Sequence, residues 1–236
     1  MRIKILFDKN THNKNLHTGW GVSFLINKEI LFDTGEKGEW LIENIKSLSV
    51  DTNKIKAVVI SHDHWDHKNG LWKLLEKNHK IKIYSCPNFG RRFKNKVKSY
   101  AGQLTEVDKL TLIDDNVYTT GEIEGWYFFK YMPEQALILR TLKGLIILTG
   151  CAHPGIIKII ENVKRNIPER IYLVIGGFHL MGKHKKTIKD IINKFREIGI
   201  EKVGPTHCTG KIAIELFEKE YKDKFIEIKV GETIEV

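Results

Sequence analysis

Short apolar, β-branched runs alternate along the chain with segments whose apolar residues fall three and four apart, a pattern that predicts strands separated by amphipathic helices. Arg2 to Phe7, Gly21 to Ile26 and Glu29 to Phe32 read as strands opening a sheet, and Lys37 to Leu48 as a helix. Ile55 to Ile60 reads as a buried strand, and Ile81 to Ser85 as another. Between them Lys68 to Lys77 (KNGLWKLLEK) carries Leu71, Trp72, Leu74 and Leu75 at helical spacing. Residues 87–125, basic and punctuated by Gly102, Gly121 and Gly125, read as an irregular insertion. After it Trp126 to Tyr131, Ala136 to Leu142 and Leu145 to Leu148 read as paired strands of a second sheet, with Lys143-Gly144 as a hairpin turn. The last third alternates: helix from Pro154 to Asn166, strand from Ile171 to Ile175, helix from Lys185 to Ile198, strand at Lys202 to Val203, helix from Lys211 to Tyr221. Two series of strands with helices outside predict an α/β chain folded as an αβ/βα sandwich. A chain of 236 residues suffices for a single domain spanning 1–236, and no repeat or linker interrupts it.

The densest chemistry lies where the strand ending at Ile60 stops, in Ser61-His62-Asp63-His64-Trp65-Asp66-His67. In extended backbone residues i and i+2 point to one side, so His62 and His64 converge on one ion while Asp63 and Trp65 face away. The turn into the next helix re-aims Asp66 and His67 toward a second point nearby. Imidazole and carboxylate suit Zn²⁺ foremost, with Mn or Fe as other candidates, and two divalent metal ions are expected. The plainer alternative, a polar loop with solvated histidines, sits poorly with three His in six positions. Three further apolar runs each end near a His: GLIILTG before Cys151-Ala152-His153-Pro154, IYLVIGG before Phe178-His179, and Val203-Gly204-Pro205 before Thr206-His207-Cys208.

Heptad and setting resemble the metallo-β-lactamase superfamily, whose His-x-His-x-Asp-His lies on a loop between a strand and a helix. The resemblance extends along nearly the whole chain: Asp33-Thr34-Gly35, closing a strand, looks like the superfamily's first motif. GCAHPG, GGFHL and THCTG look like a branch of metal-dependent hydrolases that includes an archaeal synthase joining a dihydropterin methyl diphosphate to a ribofuranosylaniline 5′-phosphate. The resemblance implies a four-layer αβ/βα sandwich, with His62 and His64 on one ion, Asp66 and His67 on the other, His207 as the last ligand, and Asp33 orienting the ligands from behind. The middle of the set departs from the common pattern, with Met132-Pro133-Glu134-Gln135 in place of His-Thr-Pro-Gly and Gly150-Cys151 in place of Gly-Asp. His153, ahead of a Pro favoured at the first helical position, is expected at a helix N-terminus facing the strand ends, as a ligand. Cys151 either replaces the bridging Asp as a thiolate ligand or is an inert buried thiol. Glu134 is a weaker candidate for contact with the site, Cys208 is expected to point into the core, and His17 to reach the pocket rim. His179, flanked by Gly176-Gly177, is read as a substrate-facing group, and together with Asp66 as catalytic.

Lys and Arg number 39 against 29 Asp and Glu, and this excess favours an anionic partner. The densest basic stretch, Arg91 to Lys98, is either a solvated helix face or a phosphate-holding wall in which Arg91 and Arg92 bind substrate. No signal peptide or membrane span is expected, and the odd, scattered Cys86, Cys151 and Cys208 fit a reducing, cytoplasmic setting. The leading functional expectation is a di-metal hydrolase of a small anionic metabolite, phosphorylated for preference, using a metal-bound hydroxide. The synthase-type transfer and a non-catalytic metal-binding or sensor protein are the alternatives. Nucleic acid is disfavoured as a partner, because such branches bring additional gripping domains.

Overall fold

The computed structural model describes all 236 residues. In chain order the elements are β1 (Arg2–Phe7), β2 (Ser23–Ile26), β3 (Ile30–Phe32), α1 (Gly38–Ser47), β4 (Ala57–Val59), α2 (Trp65–Lys68), α3 (Gly70–Lys77), β5 (Lys82–Ser85), α4 (Arg91–Ser99), β6 (Gln103–Glu106), β7 (Thr111–Asp114) and β8 (Val117–Thr119). There follow β9 (Trp126–Tyr127), β10 (Lys130–Tyr131), β11 (Leu137–Thr141), β12 (Gly144–Thr149), α5 (Ile156–Asn166), β13 (Ile171–Gly177), α6 (Lys185–Ile198), β14 (Lys202–Thr206), α7 (Lys211–Tyr221) and β15 (Thr233–Glu235). One seven-stranded sheet runs β15-β1-β2-β3-β4-β5-β6 and one six-stranded sheet runs β14-β13-β12-β11-β8-β7. The expected four layers follow from which apolar faces meet. Ile5, Phe24 and Val59 of the first sheet pack on Leu137, Leu148 and Ile175 of the second. Leu41, Leu74 and Phe93 cover the outer face of the first sheet with α1, α3 and α4. Ile160, Ile192 and Phe217 do the same for the second with α5, α6 and α7.

Strand direction places the chemistry. β3, β4, β5 and β6 run parallel in the first sheet, and β12, β13 and β14 in the second. Loops leaving the carboxyl ends of β3, β4, β12, β13 and β14 carry Asp33, the heptad, Cys151 and His153, His179, and His207, in keeping with the tendency of open α/β sheets to build sites there. Two links from Gln135 clamp that edge: its N–H donates to the Ser61 carbonyl (2.9 Å), and its side-chain amide donates to the Ile60 carbonyl (2.8 Å).

Three local expectations change and one strand is added. Residues 87–125 are regular: α4 buries Phe93 and Val97 against the first sheet, β6 extends that sheet, and β7 and β8 edge the second. The lone i, i+4 apolar pair was masked by the surrounding Lys and Arg. Trp126 to Tyr131 does not join the second sheet; β9 and β10 pair with each other. The Gly125 carbonyl accepts from Met132 N–H (2.8 Å) and Ile123 exchanges both backbone bonds with Glu134, so this segment folds back on itself. Helix α5 starts at Ile156, not Pro154, because a turn closed by Gly155 N–H on the Ala152 carbonyl (2.9 Å) comes first and Gly155 takes a φ of 95°. The short, polar β15 returns antiparallel to β1, a pairing three residues could not announce. No helix is long and apolar enough to cross a membrane.

Leu148 is fully buried between the sheets, whereas Leu142 is fully exposed on the β11–β12 turn. Leu148→Ala is expected to lower unfolding free energy by about 2–5 kcal/mol. Leu142→Ala should stay within about 0.5 kcal/mol. Urea unfolding with an unchanged denaturant slope checks both.

Candidate metal centre

Asp33, fully buried at the end of β3 with a left-handed φ of 57°, receives three hydrogen bonds. Its Oδ1 accepts Ser61 N–H (2.7 Å), while its Oδ2 accepts the Ser61 hydroxyl (2.7 Å) and His67 Nδ1–H (2.6 Å). Since the Ser61 proton goes to Asp33, Ser61 Oγ is left to accept His62 Nδ1–H at 2.9 Å. One carboxylate thus places the protons of two imidazoles on Nδ1 and turns both Nε2 lone pairs toward the same space. Gly150 makes the approach possible, because a Cβ there would lie 2.1 Å from Ser61 Oγ. Gly21 plays a similar part opposite. Its φ of 99° and the Asp66 carbonyl, 1.8 Å from any added Cβ, admit only glycine, and its N–H donates to His207 Nδ1 (3.1 Å). The His207 proton therefore sits on Nε2, toward Asp66 Oδ2 at 3.3 Å, and a cation bound there must displace it.

The donor atoms form two adjacent groups. His62 Nε2 and His64 Nδ1 lie 3.1 Å apart, and His153 joins them. His67 Nε2 and His207 Nε2 lie 3.3 Å apart, with Asp66 Oδ2 at 3.4 and 3.3 Å from them. Cys151 Sγ sits between, 3.4 Å from His67 Nε2 and 3.3 Å from His207 Nε2, and also groups with His62. Both ring nitrogens of His153 are buried without a hydrogen-bond partner, a costly condition that a cation relieves.

Electrostatics point the same way. Burial, reinforced by neighbouring histidines, pushes His153 down to about 2 and holds His62 well below the usual imidazole range, so both are neutral and ligand-ready. Burial opposes charge on His67, yet Asp33 and Asp66 outweigh it and hold that imidazole well above its ordinary value. Burial likewise opposes the Asp66 carboxylate, which His67 and His207 nevertheless keep ionised. Burial pushes the Cys151 thiol well up, so a bound cation is what would make it a thiolate. Neutral His62 and His153, a His67 that gives up its second proton when a cation binds, one carboxylate and one thiol, converging from opposite sheets, fit first-row divalent ions.

Other residues stand as follows. Glu134 is not in either donor group; fully buried, it accepts the N–H groups of Cys151 (2.8 Å), Ala152 (2.9 Å) and His153 (2.9 Å), and so shapes the loop that presents two donors. Cys208 does not point away from the site: its thiol groups with Cys151 and His207 and donates to the Cys151 carbonyl (3.4 Å), beside the left-handed His207 (φ 50°). His179, left-handed at φ 54°, packs on His153 with ring centroids 4.5 Å apart. Arg91 and Arg92 are exposed at the start of α4, which Gly90 N–H ties to the heptad through Asp63 Oδ2 (2.9 Å); neither lines the cleft beside His153. His17 instead pairs with Glu43 and stacks on Trp40. Ser61, Gly21 and Tyr127 went unnoticed in the sequence; only Ser61, first residue of the heptad, carried a readable signal.

The metallo-β-lactamase superfamily model matches residues 21–219. The chain belongs to the metallo-β-lactamase superfamily. Within the superfamily it is 29% identical, over 94% of this chain and 92% of the relative, to the 7,8-dihydropterin-6-methyl-4-(β-D-ribofuranosyl)-aminobenzene-5′-phosphate synthase of Methanocaldococcus jannaschii. Among solved structures, Tm1679, a metal-dependent hydrolase of the β-lactamase superfamily, superposes with a TM-score of 0.85 at 29% identity, covering 100% of this chain and 99% of that one. Human tRNase Z, short form, shares the fold at a TM-score of 0.66 and 13% identity, covering 100% and 99%.

Because Asp33 fixes two ligands at once, Asp33→Asn should weaken Zn²⁺ affinity by about 10–100-fold while the chain stays folded. Chelator competition measures this. Unchanged affinity would show that the ligands hold their orientation without the carboxylate.

Proposed function

We propose that this chain is a two-metal enzyme acting on a small anionic metabolite, phosphate-bearing for preference, and most simply a hydrolase. The observation that carries the proposal is the pair of adjacent donor groups, His62, His64 and His153 on one side and Asp66, His67 and His207 on the other, with Cys151 Sγ between them. Divalent ions held there would polarise a phosphoryl or carbonyl oxygen and acidify water to a pKa near about 7. Imidazoles and a thiolate suit Zn²⁺ better than Mn²⁺, with Fe as an alternative. The chain's own residues supply the rest. Asp33 and Ser61 hold the rings in one tautomer, and Glu134 holds Cys151 and His153 in register. His179 has an unpartnered, buried Nδ1 beside His153, in position to meet a substrate oxygen. Net charge +10 draws anions toward the site.

A second reading is favoured by the 29% identity to the M. jannaschii synthase along almost the full length of both chains. In it the same donor groups would hold ions that clamp and stabilise a departing diphosphate, while the amine of the second substrate, in place of water, takes the carbon that bore it and gives up a proton. Water exclusion would then decide the outcome.

Metal-reconstituted protein should carry about two ions per chain by elemental analysis. His153→Ala should lower that content and abolish turnover of bis(4-nitrophenyl) phosphate together. Cys151→Ser should weaken binding at both positions if the sulfur lies between the ions, and leave both intact if it does not. A content that never exceeds one ion removes the two-metal proposal.

Incubation with a dihydropterin methyl diphosphate, with and without ribofuranosylaniline 5′-phosphate, separates hydrolase from transferase. Diphosphate release that requires the amine establishes transfer. Turnover of simple phosphodiesters with no condensation product leaves hydrolysis.

A further inference from the structure

The hairpin β9–β10 breaks local rules of turn chemistry and burial. Two-residue hairpin turns favour Asn, Asp and Gly because the φ they demand is positive, yet Phe128 and Phe129 form this one, with Phe128 at φ 52°. Trp126 is 54% exposed, Phe128 82% and Phe129 100%, so nothing in the core accounts for a run of four aromatic residues. Such a patch on a small soluble enzyme marks a binding surface. The base of the hairpin is nevertheless fixed, by Met132 N–H on the Gly125 carbonyl (2.8 Å) and by Tyr131 Oη–H on Glu122 (3.0 Å). That anchoring carries Tyr127 over the donor groups. Its ring stands edge-on to His64 at 4.9 Å, His153 at 5.2 Å and His179 at 6.1 Å between centroids.

Between this hairpin and the His153–His179 pair lies a cleft of about 500 Å³, lined by Trp126, Tyr127 and Phe128 together with His153, His179, Lys158 and Lys183. Lys158 is held by the Glu124 carbonyl (2.8 Å), whereas Lys183 has no carboxylate partner. Aromatic rings, an ammonium without a carboxylate partner, and the His153–His179 pair next to the donor groups line one cleft, the complement of a flat aromatic group carrying an anionic substituent.

We propose that this cleft is the subsite for a planar aromatic or heteroaromatic ring, gripped by Tyr127 and Phe128, whose anionic substituent lies between Lys183 and the metal centre. It rests on the proposed two-metal activity for its placement of the reacting group and adds the class of substrate. A second copy of the chain docking on the exposed rings is the competing use of the patch. The concave arrangement favours a small ring, because Tyr127 and Phe128 line the cleft instead of presenting a flat outer face.

The test uses metal-loaded protein and two non-hydrolysable probes, 1-naphthylmethylphosphonate and methylphosphonate, titrated calorimetrically. The naphthyl compound should bind about tenfold more tightly. Tyr127→Leu and Phe128→Ala should erase most of that ratio while leaving methylphosphonate affinity and metal content unchanged, and Lys183→Ala should weaken both probes alike. A wild-type ratio near one, or a ratio that survives Tyr127→Leu, overturns the subsite. So does a Phe128→Ala variant that changes sedimentation behaviour and not the ratio, which would assign the rings to self-association. Two ions and phosphodiester turnover without ring preference would sink this inference alone; ring preference without any turnover would support it and sink the proposed activity.

Discussion

A single buried carboxylate organises the site. Asp33 takes a backbone N–H, a hydroxyl and an imidazole N–H, and by doing so commits His67 directly and His62 through Ser61 to the tautomer that exposes Nε2. Removing a charge from water is costly, and only the three short bonds make this position tolerable. The architecture around it follows from that requirement. β3 and β4 must be parallel neighbours so that Asp33 and Ser61 emerge side by side, and the chain crossing behind them at residue 150 must lack a side chain.

The second sheet supplies what the first cannot. Glu134 gathers three consecutive N–H groups and bends residues 151–153 so that Cys151 and His153 face the heptad. Ala152, left-handed at φ 62°, bears the strain of that bend. An acidic side chain that is only a weak candidate for the site in the sequence is thus a backbone clamp, and the thiol two residues before His153 lies between the donor groups. Each sheet holds part of the donor set, so the packing of Leu137 and Leu148 on Phe24 and Val59 sets the distance between the two parts. Core packing and site geometry are one constraint here.

The centre also explains where the chain tolerates poor local energetics. Imidazole nitrogens with no partner, a carboxylate and imidazole pair under strong mutual influence, and left-handed His179 and His207 all lie within one small volume. Such conflicts persist when the surrounding structure over-determines them and a ligand relieves them. The aromatic hairpin is the same kind of exception at the surface, since exposed Trp126 and Phe128 lower neither the energy of the turn nor that of the core.

Periodicity and composition alone determined much of this protein. Most strands of the two series, α6 and α7 in full, the heptad at the end of a buried strand and the His after three later strands were legible, because each depends on neighbours a few residues apart, whereas β6, β7 and β8 were not. What needed the tertiary structure was every relation across long sequence separations. The basic residues around Phe93 and Val97 hid a helix that shows itself only against the first sheet, and β15 has meaning only beside β1. Glu134 as clamp, Cys208 turned inward and Gly21 wedged between Asp66 and His207 are invisible in the sequence, since hydrogen bonds and close approach depend on where the chain returns. Residue type announced a metal site; the meeting of two sheets decided which atoms build it.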